Sequence, residues 1–335
     1  MHAPVLRDPI CRLANPIPSR DKYQMKNAQF GGHMTDLRAL MNTIPQLQGY
    51  DGPVERMGGL TNVVHRVGEY CLRVPGEGTE EYIDRKAEAV AAQAAAEAGV
   101  SPELVFADPD SGLMVTRFID GATTMTPDLF AQAAADDSHA VVGRAAIAMR
   151  DLHRSGAVFP ADFELFAMID EYLGLLSTKD VDLPAGYHDV VAEAETIRTA
   201  LAKNPAPRVA CHCDPLCENF LDTGTRMWIV DWEYSGMNDP MWDLGDLSVE
   251  AGLNDVQDAA LLAAYFDGQV PAHDHARMVI YKAMCDLLWT LWGLIQLAND
   301  NPAEDFRAYA DGRFARCKAL MARPEFAAHV ATLNG

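Results

Sequence analysis

The segment CHCDPLCENFL, residues 211 to 221, sets a carboxylate, Asp214, five residues before a carboxamide, Asn219. A second carboxylate, Asp231, follows at the end of the apolar run WIV. Phosphoryl transfer needs such parts: one carboxylate to orient an attacking hydroxyl and take its proton, and an amide with a further carboxylate to hold Mg2+ against nucleotide phosphates. The same letters offer soft metal ligands in Cys211, His212, Cys213 and Cys217. A structural zinc site requires a second Cys/His pair further along the chain, and the sequence supplies none of that kind, so the thiols read as small apolar groups packed beside a polar loop.

The elements that must position these residues are legible from pattern. PVERMGGLTNVVHRVGEYCLRVPG alternates apolar and polar residues in short runs broken by glycines, which predicts antiparallel strands joined by tight turns. GTEEYIDRKAEAVAAQAAAEAGV predicts a helix, with Thr79 placed to cap it and Gly99 to stop it. ELVFADPDSGLMVTRFI returns to strands around a turn at Asp108 to Gly112. Beyond residue 122 long helical segments dominate, HAVVGRAAIAMRDLHRSG and FELFAMIDEYLGLLS among them, interrupted by two strand-like runs within residues 218 to 232. The expected architecture is an α+β chain of two lobes: a loosely ordered tail at 1–33 that carries four prolines, a small N-terminal nucleotide-binding lobe at 34–121, and a larger, mainly helical catalytic and acceptor-binding lobe at 122–335.

A formal charge of −21 opposes binding to nucleic acid or to an anionic membrane surface, so a bound polyanion must be met by a local basic site or a divalent cation. No apolar run reads as long enough to cross a bilayer, and the opening residues place charges and prolines where a secretory signal needs an apolar stretch. Seven cysteines without an export signal point to reduced thiols and a cytoplasmic setting.

The order Asp214, Asn219, Asp231 has the separation of a kinase catalytic loop followed by its metal-binding Asp. The run IVDWEYSGMNDPMWDLGDLSVE then resembles the signature of the choline/ethanolamine kinase family, with Asp231, Glu233, Tyr234, Asn238, Asp243 and Glu250 in register. GGLTN, RKAEA and LLWTLWGLIQ extend the resemblance over roughly residues 55 to 320. It implies a protein-kinase-like fold and ATP- and Mg2+-dependent phosphorylation of a small cationic amino alcohol, choline or ethanolamine. It also implies roles. Asp214 would be the base, Asn219 and Asp231 metal ligands, and Glu233 a further carboxylate on the metal side. Gly59, Thr61 and Asn62 would form the phosphate loop, and Arg73 would stand where protein kinases place Lys, ion-paired to Glu88. Two departures from the pattern stand out. Cys213 occupies a loop position that is usually Gly, which would strain the chain if that backbone needs a positive φ, and the Gly58-Gly59 pair lacks the spaced glycines of protein kinases.

Trp289 and Trp292 lie three apart, hence on one helix face, and aromatic faces attract cations. Two such Trp also suit a helix core. The resemblance makes them, with Tyr309, the acceptor pocket, with Glu250 adding negative charge near the ammonium. His153 is expected to pack and hydrogen-bond, and Asp243, rather than Asp246, to fix the catalytic loop. An aminoglycoside or other amino alcohol as acceptor, and a nucleotide-binding protein without catalysis, are the competing readings.

Overall fold

The alternation between Val54 and Pro75 does yield antiparallel strands. In the computed structural model, which describes residues 34–58, 62–75, 83–135, 139–301 and 304–334, β1 (Val54–Gly58), β2 (Asn62–Val67) and β3 (Tyr70–Pro75) pair in sequence. The β2–β3 turn uses Gly68 at φ +62°, a value that costs glycine little. After the helix α2 (Arg85–Glu97), β4 (Leu104–Asp108) and β5 (Leu113–Arg117) complete a five-stranded antiparallel sheet of order β1-β2-β3-β5-β4. A preceding helix, α1 (Met34–Met41), contributes Met41 to a small apolar cluster with Ile44, Leu47, Val67, Leu72 and Val115.

The expected start of α2 needs correction. The helix begins at Arg85, and its cap is Asp84, whose carboxylate accepts from the backbone N–H groups of Lys86 and Ala87 at 3.1 Å each. Thr79 and the phosphate-loop residues Gly59 and Thr61 lie outside the described residues, as does the 1–33 segment. The helix stop at Gly99 stands, with φ +74°. The alanines of α2 make a thin face: Ala91, Ala92 and Ala95 are buried and join the main core of the protein rather than the small cluster.

From residue 123 onward the chain is mostly helical: β6 (Thr123–Thr124), α3 (Pro127–Ala135), α4 (His139–His153), α5 (Leu165–Leu176), α6 (Tyr187–Lys203), β7 (Val209–Cys211), β8 (Phe220–Asp222), β9 (Met227–Ile229), β10 (Gly236–Asn238), α7 (Pro240–Glu250), α8 (Asp255–Tyr265), α9 (Ala272–Ala298), α10 (Phe306–Met321) and α11 (Pro324–Leu333). The two strands expected in 218 to 232 are β8 and β9, which form a hairpin joined on its other edge by β6. The pairing of β7 with β10, Cys211 opposite Gly236, is not foreshadowed in the sequence, because three-residue strands leave no periodicity to read.

The expectation that no segment is long and apolar enough to span a membrane also needs correction. α9 passes on length and composition, with 27 residues and a mean hydropathy of 1.4 in its most apolar window. That window is 89% buried inside the protein, because α9 is the axis against which α5, α7, α10 and α11 pack.

The α7–α9 crossing is close enough to require glycine. A Cβ at Gly245 would lie 3.0 Å from the Met278 carbonyl oxygen and 3.1 Å from the Tyr281 Cβ. A Cβ at Gly312 of α10 would meet nothing within 4 Å. Chemical denaturation is therefore expected to show Gly245→Ala destabilised by about 1–3 kcal/mol and Gly312→Ala stabilised by roughly 0.5–1 kcal/mol. Equal effects at the two positions would contradict the close crossing.

Candidate active site

The loop between β7 and the β8–β9 hairpin is gripped by one carboxylate. Asp243, in the first turn of α7, accepts from the backbone N–H of His212 at 2.7 Å and of Cys213 at 2.9 Å. His153 Nε2 faces the same carboxylate at 3.0 Å, and its Nδ1 meets the Tyr265 hydroxyl at 2.9 Å. Trp242 Nε1 donates to the Cys213 carbonyl at 3.3 Å. All these side chains are buried, so each bond replaces water that cannot reach. The packing role expected of His153 and the loop-fixing role expected of Asp243 match this geometry. Asp246 touches neither loop amide.

Cys213 sits at φ +67°, the left-handed region in which a side chain is strained and glycine is not. Its own amide and that of His212, both donating to Asp243, hold it there. The thiols turn to backbone: Cys211 Sγ lies 3.6 Å from the Asn238 carbonyl and Cys213 Sγ 3.7 Å from the Cys211 carbonyl. His212 directs Nε2 to the Val230 carbonyl at 3.0 Å and packs its ring against Trp232.

Asp214, Asn219 and Asp231 are brought into one neighbourhood. Asn219 donates its amide to the Asp214 carbonyl at 3.0 Å, and the Val230 N–H donates to the Asn219 carbonyl at 3.0 Å, which sets Asn219 beside Asp231 at the open end of the hairpin. Asp231 takes φ +70°, a second left-handed residue in the same site. Its Oδ1 is buried and has no hydrogen-bond partner. Burial, then the carboxylates of Glu250 and Glu233, push the Asp214 carboxyl up to about 8, against the opposing pull of Arg313. Asp231 is also raised well above the carboxylate range, by burial and by Glu233.

Arg73 of β3 joins the sheet to this cluster. Its Nη1 is paired with Glu88 of α2 and lies 3.7 Å from Asp231 and 3.6 Å from Glu233. Its Nε and Nη2 are buried without a partner. Glu233 accepts from Asn62 of β2 at 2.5 Å and from Arg85 of α2 at 3.0 Å, and Arg85 also pairs with Glu88 at 2.9 Å. Glu88, Asp231 and Glu233 offer oxygens within 4.8 Å of one another, a spacing one cation can bridge. Arg85 is a site residue that sequence reasoning misses. Its spacing of three before Glu88 is the available signal, but only the fold brings Glu233 to it.

The third group lies between α7, α9 and α10. Trp292 meets Trp289 edge-on at 6.2 Å, Tyr309 at 5.5 Å and Phe306 at 5.7 Å between ring centroids. Gly293 makes this possible, since a Cβ there would stand 2.6 Å from the Tyr309 ring. Glu250 is not a free carboxylate: Arg313 holds it at 2.6 Å, and the same guanidinium stacks on Tyr309 at 4.9 Å and reaches Asp286 at 3.3 Å. Nothing in sequence spacing points to Arg313, which reaches Glu250 across two intervening helices.

Comparison with known proteins agrees with this arrangement. The profile of the phosphotransferase enzyme family matches residues 55–281. The chain belongs to that family. It is 63% identical to a choline/ethanolamine kinase family protein from Mesorhizobium loti, whose crystal structure superposes with a TM-score of 0.83 over 90% of this chain and 98% of that one. The choline kinase LicA from Streptococcus pneumoniae is 25% identical, with a TM-score of 0.68 over 86% and 99% of the two chains. Protein LicA of Haemophilus influenzae is 27% identical over 77% of this chain and 76% of its own. The fold is the two-lobed, protein-kinase-like α+β architecture, and the protein is a small-molecule phosphotransferase acting on an alcohol group.

For this phosphotransferase the Asp243 clamp has a measurable consequence. Asp243→Asn leaves one acceptor oxygen for three donors. Urea denaturation is expected to register a loss of about 2–4 kcal/mol, and the folded fraction is expected to lose kcat with little change in the KM for nucleotide. Wild-type stability in the variant would contradict the clamp.

Proposed function

We infer that the protein transfers the γ-phosphoryl group of ATP, with Mg2+, to the hydroxyl of a small amino alcohol of the choline and ethanolamine class. The observation that carries this reading is the meeting of groups of opposite character: Asp231 Oδ1, buried without a hydrogen bond and 3.7 Å from Arg73 Nη1, is suited to a cation, and Arg73 Nε and Nη2, buried without a hydrogen bond, are suited to phosphate oxygens. The likeness to choline/ethanolamine kinases supports the acceptor class. Residues 34–121 then serve as the nucleotide lobe and 122–335 as the catalytic and acceptor lobe. The six described cysteines are free, which supports a reducing, cytoplasmic setting.

Asp231 and Glu233, whose oxygens lie within 4.8 Å of each other, would with the Asn219 carboxamide oxygen hold Mg2+, which when bound would neutralise charge on the phosphates. Asn62 borders the nucleotide, a role the family resemblance also assigns to Gly59 and Thr61, and Arg73, kept in place by Glu88, clamps its phosphates. Asp214 orients the acceptor hydroxyl and takes its proton as the new O–P bond forms and the bond to the departing diphosphate breaks. Trp289, Trp292, Tyr309 and the Arg313-held Glu250 wall the acceptor.

Two measurements test this reading. Product formation with Mg-ATP is expected for choline or ethanolamine and not for an aminoglycoside panel, and Trp292→Ala is expected to raise the acceptor KM at least about tenfold while leaving the nucleotide KM in place, because the ring packs Trp289 and Tyr309 into the acceptor wall. Nucleotide binding without any product would instead mark a non-catalytic protein.

The acid limb of the pH profile follows from Asp214. The group must be ionised to accept a proton, and with its pKa raised to about 8, kcat/KM climbs with pH through about 8 and levels off only above it. Glu250→Gln removes a charge that raises this pKa, so the limb is expected to move to lower pH. An unmoved limb would dissociate Glu250 from the base.

A further inference from the structure

One carboxylate in the acceptor region takes no part in the chemistry above. Asp246 stands one helical turn before Glu250 on α7, so the two share a face. It is 1% exposed. Oδ1 accepts from the Cys285 thiol of α9 at 2.9 Å, and Oδ2 is buried with no hydrogen-bond partner. Asp246, Glu250 and Cys285 present atoms within 4.8 Å of one another, and the Asp246 carboxylate lies close enough to Asp214 for each to act on the other's charge. Arg313, the guanidinium that acts on the charge of Asp246, is bonded to Glu250 and Asp286 rather than to Asp246. Buried carboxylate oxygens are costly to leave unpaired, so an oxygen in this position beside the base is complementary to a donor carried by the acceptor.

The aromatic walls point the same way. A quaternary ammonium has no N–H and is held by open ring faces. Here Trp292 is enclosed edge-to-face by Trp289, Phe306 and Tyr309, and the face of Tyr309 already carries the Arg313 guanidinium. Of the three aromatic residues expected to cage the cation, Trp292 is 2% and Trp289 6% exposed. An ammonium bearing N–H groups is served better by a carboxylate oxygen than by rings packed this closely against one another.

We propose that Asp246 binds the acceptor's ammonium through an N–H···Oδ2 hydrogen bond and thereby selects amino alcohols that carry at least one N–H over quaternary ones. This rests on the amino-alcohol reading above and narrows it. Burial and the Glu250 carboxylate raise the Asp246 pKa in the free protein, and a cation against Oδ2 relieves both effects by favouring the ionised form.

The test is a methylation series: kcat/KM with Mg-ATP for ethanolamine, N-methylethanolamine, N,N-dimethylethanolamine and choline, on the wild-type protein and on Asp246→Asn. Dimethylethanolamine and choline differ by one methyl and by the last N–H. The expected result is a drop of at least about tenfold at that final step, larger than either earlier step, because a site built for a hydrogen bond rejects the analogue lacking the donor. In Asp246→Asn the ratio of dimethylethanolamine to choline is expected to fall to within about threefold, with the thermal shift on adding Mg-ATP retained as evidence of a folded nucleotide site. Choline used as well as dimethylethanolamine by the wild type overturns the proposal, as does an equal loss on all four acceptors in the variant. The wild-type series decides alone if the variant does not fold. Phosphorylation of none of the four, with nucleotide still bound, is a different failure: it removes the amino-alcohol reading itself.

Discussion

The cleft is organised by an excess of carboxylates over guanidinium groups. Glu88, Glu233, Asp231, Asp214, Asp246 and Glu250 crowd a region in which Arg73, Arg85 and Arg313 supply the opposing charge. Water cannot screen these groups fully, so like charges raise one another's pKa and the site gains by admitting cations. In the proposed function one cation would be a divalent metal near Asp231, and the other the ammonium of an acceptor near Glu250 and Asp246. A protein of net charge −21 would on that reading meet a triphosphate with Arg73 and a metal at one point rather than with a basic surface.

Geometry is maintained by local strain that the surrounding bonds hold in place. Two non-glycine residues of the site, Cys213 and Asp231, adopt left-handed backbone, at a cost of about 1–2 kcal/mol each. Cys213 is fixed by the two amides on Asp243, which is buttressed by His153 and Tyr265. Strain of this kind persists where neighbours over-determine the conformation, and it aims the loop so that Asp214 and Asn219 share one side. The close approach of α7 to α9 at Gly245, and of α10 to α9 at Gly293, packs the Trp292 and Tyr309 rings together between these helices.

What can be read from the sequence is what is local or carries a strong motif. The spacing of Asp214, Asn219 and Asp231, the hairpin pattern of β2 and β3, and the Arg73–Glu88 pair follow from short-range pattern and resemblance, and the structure places these residues together. The N-terminus of α2 is ambiguous in sequence because Thr79 and Asp84 are both good caps, and only the docking of the helix selects Asp84. α9 defeats a hydropathy reading because a helix buried on all sides has the composition of a membrane span. Arg313 on Glu250, Arg85 on Glu233 and the orphaned oxygen of Asp246 are contacts between distant segments, set by helix crossings that no periodicity encodes. The strained φ at Cys213 is foreseeable as a question, since glycine is expected there, but the Asp243 carboxylate that answers it is visible only in the fold.

Asp231, beside Arg73, is proposed to receive a metal-bound nucleotide. Calorimetric titration of ATP into the wild-type protein and Asp231→Asn, each with Mg2+ and with chelator, tests it most directly. At least about tenfold tighter binding with Mg2+ is expected for the wild type, a difference lost in the variant. Equal affinity with and without Mg2+ in the wild type, or an unchanged Mg2+ effect in Asp231→Asn, would contradict it.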